Sequence, residues 1–258
     1  MTAQKKYEFV PGDTITLAPG RTLKRIRAVV AISVFGVSPG DLGGYIEAEA
    51  NLSQVSGGAW VYGNARVYGN AQVYGNARVY GNAQVSGNAW VSGNAQVSGN
   101  ARVYGNAQVS GGAQVYGNAR VYGNAQVYGN ARVYGNARVY GNAQVYGNAR
   151  VYGNAQVYGN ARVYGNARVY GNGLICWFSK VGSENGTLTV YNGRENNLLV
   201  TRGCFYGTAQ EFLAKSASVH DDRIRREYEM LIEVAKSRIE AARQEYTEPA
   251  EEPEEVAL

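Results

Sequence analysis

Across residues 55–168 the chain alternates small apolar and polar positions in blocks of four, each closed by Gly-Asn: Ala-Arg/Gln-Val-Tyr/Ser-Gly-Asn, nineteen hexads in succession. Alternation over four residues is the period of a strand with one buried face. Ala and Val are therefore expected inside, Arg/Gln and Tyr/Ser outside. Gly and Asn reach positive φ at least cost, which makes the pair a corner. Gly58 and Gly112 stand where Asn stands elsewhere; because the two residue types share a tolerance of left-handed backbone, Asn reads as a backbone device rather than a binding group. A six-residue unit cannot bury its own apolar face and must stack on its neighbours, so residues 55–172 are predicted to form a β-solenoid.

The flanks break the rhythm. Residues 22–32 carry a strand signal, with turns at Ser38-Pro39-Gly40-Asp41 and Gly43-Gly44, and residues 1–54 read as an N-terminal β cap. Beyond the repeat, residues 173–178 form an apolar strand. Residues 187–191 and 197–201 then flank a turn opening on Asn192-Gly193, a hairpin signal that makes 173–207 a second cap. Thr208-Ala209-Gln210-Glu211 is a capping box for a short helix ending near Ser218, and Asp221 or Asp222 opens a longer one in a helical segment spanning 208–246. Ile224, Tyr228, Leu231, Ala235, Ile239, Ala242 and Tyr246 form its apolar stripe. That stripe suits packing on the terminal sheet or a coiled-coil assembly seam. Residues 247–258, with five Glu and two Pro, are expected to be disordered.

The hexad, with its aliphatic first residue, Asn at the fourth place and a small fifth residue, resembles the left-handed parallel β-helix of the hexapeptide-repeat acyltransferases. That resemblance implies a mainly β fold of triangular section with three hexads per coil, and a rod of roughly 30 Å at the ~4.8 Å strand spacing. Residues eighteen apart would then stack. Arg102, Arg120 and Arg138 form one ladder, Arg132, Arg150 and Arg168 a second, and Gln108, Gln126 and Gln144 a third. Beside them run Tyr116, Tyr134, Tyr152 and Tyr170; Tyr128, Tyr146 and Tyr164; and Tyr104, Tyr122, Tyr140 and Tyr158. Trp60 and Trp90 take the outward Arg/Gln place. The flanking blocks Gly40-Asp41-Leu42-Gly43-Gly44-Tyr45-Ile46-Glu47 and Arg202-Gly203-Cys204-Phe205-Tyr206-Gly207-Thr208 resemble hexapeptide-repeat proteins of bacteria and phages labelled hexapeptide transferase or polymer-forming. This second likeness implies a bacterial or phage origin.

Charge is unevenly divided. Residues 55–172 hold nine Arg and no acid, whereas residues 173–258 hold ten bases and fifteen acids, so the net +5 hides a basic rod beside an acidic end. The start lacks the apolar stretch of a secretory signal, and no run approaches the ~20 apolar residues that span a membrane. Cys176 and Cys204 suit reduced thiols, and the cytoplasm (a host's, for a phage protein) is the expected compartment.

Candidate chemistry is sparse. The resemblance to acyltransferases implies a proton-accepting histidine near the coils and a loop that shapes a carrier groove. The repeat has no His and no interrupting loop, and His220 is the only histidine. Catalysis is therefore not expected, and neither a cofactor nor a metal is implied; an acyltransferase-like centre around His220 stays as the alternative. The stacked arginines and tyrosines, from Arg102 to Arg168 and Tyr116 to Tyr164, are instead the candidate binding surface. They suit a protein partner or a polyanion, either single-stranded nucleic acid or an anionic glycan. A homo-oligomer through a rod face or the last helix also remains open, as does a purely structural role for the lattice.

Overall fold

The computed structural model describes residues 5–17, 20–54 and 57–245. Three antiparallel strands lead in: β1 (Tyr7–Leu17), β2 (Arg21–Ala28) and β3 (Leu42–Ile46). Nineteen two-residue strands come next, from β4 (Trp60–Val61) to β22 (Arg168–Val169), one Arg/Gln/Trp-Val pair per hexad. Every third strand pairs in parallel with a partner eighteen residues on, Arg102 with Arg120 and Val133 with Val151. The result is a parallel β-solenoid of about seven coils with three flat faces. A four-stranded antiparallel sheet closes it: β23 (Ile175–Val181), β24 (Gly186–Asn192), β25 (Leu198–Arg202) and β26 (Phe205–Thr208). Two helices end the described chain, α1 (Ala209–Val219) and α2 (Asp222–Glu245).

The alternation holds throughout the coils. Ala and Val from Ala59 to Val169 are at most 1 % exposed, and they alone fill the prism. Each Val so buried contributes roughly 1.5–2 kcal/mol, more than one exposed amide bond, so apolar stacking drives coil onto coil.

The corner differs from the sequence expectation. Gly takes positive φ in each described hexad up to Gly165, +72° at Gly123 for example, but no repeat Asn does. Glycine is needed there twice over, because a Cβ on Gly123 would also lie 3.0 Å from the Gly141 nitrogen one coil on. Asn works by its side chain instead. Asn106, Asn124, Asn142 and Asn160 form a line of amide hydrogen bonds, each Nδ2 donating to the next Oδ1 at 3.0–3.1 Å. Tolerance of φ therefore does not account for Gly58 and Gly112; Gly58 uses its backbone N–H to donate to Asn76 Oδ1 at 2.9 Å.

Each coil donates forward. Arg120 N–H reaches Ala137 O at 2.9 Å, Tyr122 N–H reaches Val139 O at 3.0 Å, and Asn124 N–H reaches Gly141 O at 2.8 Å. The first coil thus presents carbonyls, the last presents N–H groups together with the Arg162 carbonyl, and each cap supplies the complement. At the N-terminal end Tyr45 N–H donates to Ala65 O, Asn51 Nδ2 to Ala71 O, and buried Lys6 Nζ to Ala59 O, all at 2.9 Å. At the other end Thr189 Oγ1 accepts Arg162 N–H and Tyr191 OH accepts Tyr164 N–H, both at 3.1 Å. Thr201 Oγ1 donates to Arg162 O at 2.8 Å, completing a side-chain imitation of the missing coil.

The flanks mostly match the sequence expectation, with three corrections. Strand β1 escaped it because Pro11-Gly12 looks like a break; the strand instead bulges between Phe9 and Thr14, with Gly12 at φ +78°. Trp60 occupies the outward place but is 1 % exposed, since the cap lays Tyr7 against it edge-on at 6.3 Å. In α2 the buried stripe runs through Ile232 and leaves Leu231 half-buried. The hairpin of β24 and β25 and the Thr208–Glu211 capping box form as expected. Helix α2 packs its stripe on β23, β24 and the turn at Asn172–Leu174, where a Cβ on Gly173 would lie 2.4 Å from that of Ala242. Among the described residues no helix is long and apolar enough to cross a membrane. Val55, Tyr246 and the acidic stretch 247–258 lie outside the described residues.

Candidate functional site

The three expected ladders form in register. On the first face Arg102, Arg120 and Arg138 pair rung to rung, and the rings of Tyr104, Tyr122, Tyr140 and Tyr158 stack beside them at 4.9 Å. On the second, Gln108, Gln126 and Gln144 lie beside Tyr128, Tyr146 and Tyr164, stacked at 4.8 and 4.2 Å. The third aligns Arg132, Arg150 and Arg168 with Tyr116, Tyr134, Tyr152 and Tyr170.

The two arginine faces are not equivalent. Arg102, Arg120 and Arg138 are exposed, and the phenols of Tyr104, Tyr122 and Tyr140 show their edges to solvent. Arg132, Arg150 and Arg168 are half-buried, and Tyr116, Tyr134, Tyr152 and Tyr170 are only 8, 4, 2 and 8 % exposed. This corrects the expectation of open phenols at Tyr116, Tyr134 and Tyr152. Their first rings stack at 4.8 Å as on the open faces, so stacking does not cause the difference. Cover begins within this face: Tyr80 is half-exposed, whereas Ser98, one rung further, is 3 % exposed.

Burial raises the phenol of Tyr104 above its ordinary value, the neighbouring Tyr122 adds to this, and Arg120, Arg102 and Arg138 oppose it. The phenols of Tyr128, Tyr140 and Tyr146 are raised for the same first reason. They stay neutral at working pH, so the open face offers guanidiniums, hydroxyl donors and ring edges. Guanidiniums about 5 Å apart repel one another, and an anionic chain laid along them relieves that repulsion.

Near α2, Arg168 and Arg150 continue into a groove of about 490 Å³ that Arg194 joins from the β24–β25 turn. Arg194 escaped the sequence reading because nothing local ties it to the rod. The tie is a long-range bridge between Ala167 and Gly193, the residue before it.

The only histidine sits elsewhere. His220 caps the C-terminal end of α1, its N–H donating to Ser216 O at 3.0 Å, and its ring tilts against Tyr228 at 5.7 Å. A cavity of about 190 Å³ there is lined by Arg202, Cys204, Lys215, Ser216, His220 and Tyr228 among others. Arg202 is held by Tyr228, accepting from Nε at 3.1 Å, and by Val181 O at 3.0 Å. Ser216 Oγ is buried there with no hydrogen-bond partner among the described residues. Cys176 lies on β23, and burial raises its thiol, which weakens it as a nucleophile.

Residues 59–111 and 113–176, slightly less than half the chain, match the YdcK β-solenoid repeat family in successive overlapping segments. No curated protein matches the chain. The likeness covers the coils and stops short of both caps' outer strands.

Proposed function

We propose that this repeat solenoid is a non-enzymatic structural and interaction scaffold, and that its exposed Arg102–Arg120–Arg138 face takes an extended polyanion. One observation carries the reading: guanidiniums and phenols repeat rung by rung on a rigid face. Such a lattice suits a ligand that is itself extended and repetitive, because each rung meets the next repeat of the partner. The ring faces are stacked on one another, so a single-stranded nucleic acid would be held through its phosphates on successive guanidiniums and through the phenol hydroxyls. Two free cysteines support a reducing cytoplasmic setting, and the hexapeptide likeness supports a left-handed winding and a bacterial or phage source.

Binding of a fluorescent single-stranded oligonucleotide, followed against salt, tests this. Affinity should fall steeply as salt rises, and Arg102→Gln/Arg120→Gln/Arg138→Gln should flatten that slope. A sulfated glycan in parallel separates the two polyanion classes. Absence of binding to either at low salt would refute the proposal.

A second reading draws on the cavity where His220, Lys215 and the unpartnered Ser216 meet. It places acyl-transfer chemistry in the C-terminal cap. Acetyl-CoA binding by the purified protein, with any activity lost in His220→Ala, would support it over the scaffold.

A further inference from the structure

The covered arginine face and the end of α2 meet at one place. Arg243, in the last turn of α2, donates from Nε to Asn192 Oδ1 at 2.9 Å, and Asn192 Nδ2 donates to Arg168 O at 3.2 Å. The chain therefore leaves the helix beside Arg168, at the mouth of the groove that also holds Arg132, Arg150 and Arg194. The next ten residues are Tyr246-Thr247-Glu248-Pro249-Ala250-Glu251-Glu252-Pro253-Glu254-Glu255, with four acids in the last five places and no base.

We propose that residues 248–255 dock in cis along the Arg168–Arg150–Arg132 ladder, so that this face is an acidic-peptide site occupied by the chain's own glutamates. Four observations converge. The groove is lined by four guanidiniums, the segment bears five carboxylates, the anchor at Arg243 delivers one to the other, and the phenols beside the ladder are covered. Reach is ample: ten residues beyond Glu245 span at most about 33–36 Å, while Tyr170 to Tyr116 is three rungs, about 14 Å. Cover also runs where the segment would, from Tyr170 down to Ser98 and no further to Tyr80. Tethering keeps the local concentration of glutamate in the millimolar range, which favours the cis contact over a dilute acidic partner. Where the exposed face binds polyanions, the covered face offers a second such site once the glutamates are removed; this consequence alone rests on the proposed polyanion function.

The test is nitration of accessible tyrosines in the full chain, mapped by mass spectrometry. In a variant carrying Glu251→Gln, Glu252→Gln, Glu254→Gln and Glu255→Gln, modification of Tyr134 and Tyr152 should rise several-fold while that of Tyr122 and Tyr140 stays unchanged. High salt should move the wild type in the same direction. A chain ending at Glu245 should behave like the variant, and a synthetic peptide of residues 246–258 should restore protection where its Gln counterpart does not. Unchanged nitration of Tyr134 and Tyr152 in both the variant and the shortened chain overturns the proposal. A single-stranded oligonucleotide is the second probe. Exposed tyrosines with tighter oligonucleotide binding support both the cis contact and the polyanion reading. Exposed tyrosines with no oligonucleotide binding leave the cis contact established and count against the polyanion reading only.

Discussion

Thr201 donates its hydroxyl to the main-chain carbonyl of Arg162 at 2.8 Å, where a further coil would otherwise bond. Both residues belong to the seal on the last rung, and Thr201 is 2 % exposed. Thr201→Val keeps the shape and strands the carbonyl, so it should cost about 1–3 kcal/mol in urea unfolding. A cost near zero would mean that the cap sits on the rod by apolar contact alone.

The corner predicts an order of effects opposite to what its sequence suggests. Asn124→Ala removes two exposed amide bonds, at 3.0 Å each, and should cost below about 1 kcal/mol. Gly123→Ala adds a Cβ at φ +72° and 3.0 Å from Gly141 N, and should cost more than about 1–2 kcal/mol. Equilibrium unfolding of the two variants side by side settles the order.

Alternation gives a third prediction. Val121→Asp puts a carboxylate into the dry prism and should unfold the rod or cost several kcal/mol. Arg120→Gln, one residue away on the open face, should change stability by less than about 0.5 kcal/mol. Thermal melts of both variants check it.

Stability should also depend on pH through Lys6. Burial lowers its ammonium to about 8 from an ordinary 10.5. Between these values the unfolded chain holds more protons than the folded one, so stability rises with pH, by up to about 3 kcal/mol. Tyr7 and Tyr191 act in the other direction: burial raises their phenols, so their contribution is complete below pH 10 and lost above it. The urea midpoint should therefore climb from pH 8 toward 10 and then fall. Lys6→Met should abolish the climb, and a climb that survives the substitution would assign it to another group.

The prism was legible because one pattern repeats: Ala119 and Val121 point in and Arg120 and Tyr122 point out by period alone. The roles of Gly123 and Asn124 were not separable, since both tolerate positive φ and only packed coils reveal the amide line. Strand β1 hid behind Pro11-Gly12, and Lys6 became a buried donor only through Ala59, fifty-three residues away. At the candidate site the three ladders followed from an eighteen-residue coil. Their unequal exposure did not, because Tyr122 and Tyr134 hold the same place in nearly identical hexads. What distinguishes them is the face of the rod on which each lies, Tyr134 covered and Tyr122 open, and no local sequence encodes that.

The claim that the rod acts through its outer ladders is tested most directly by hydroxyl-radical footprinting of the full chain with and without a bound single-stranded oligonucleotide. Protection should fall on Tyr104, Tyr122 and Tyr140 of the open arginine face and leave Phe205, Phe212 and Tyr228 around the His220 cavity unchanged. Protection confined to those three cavity residues, with the ladder tyrosines unaffected, would contradict it.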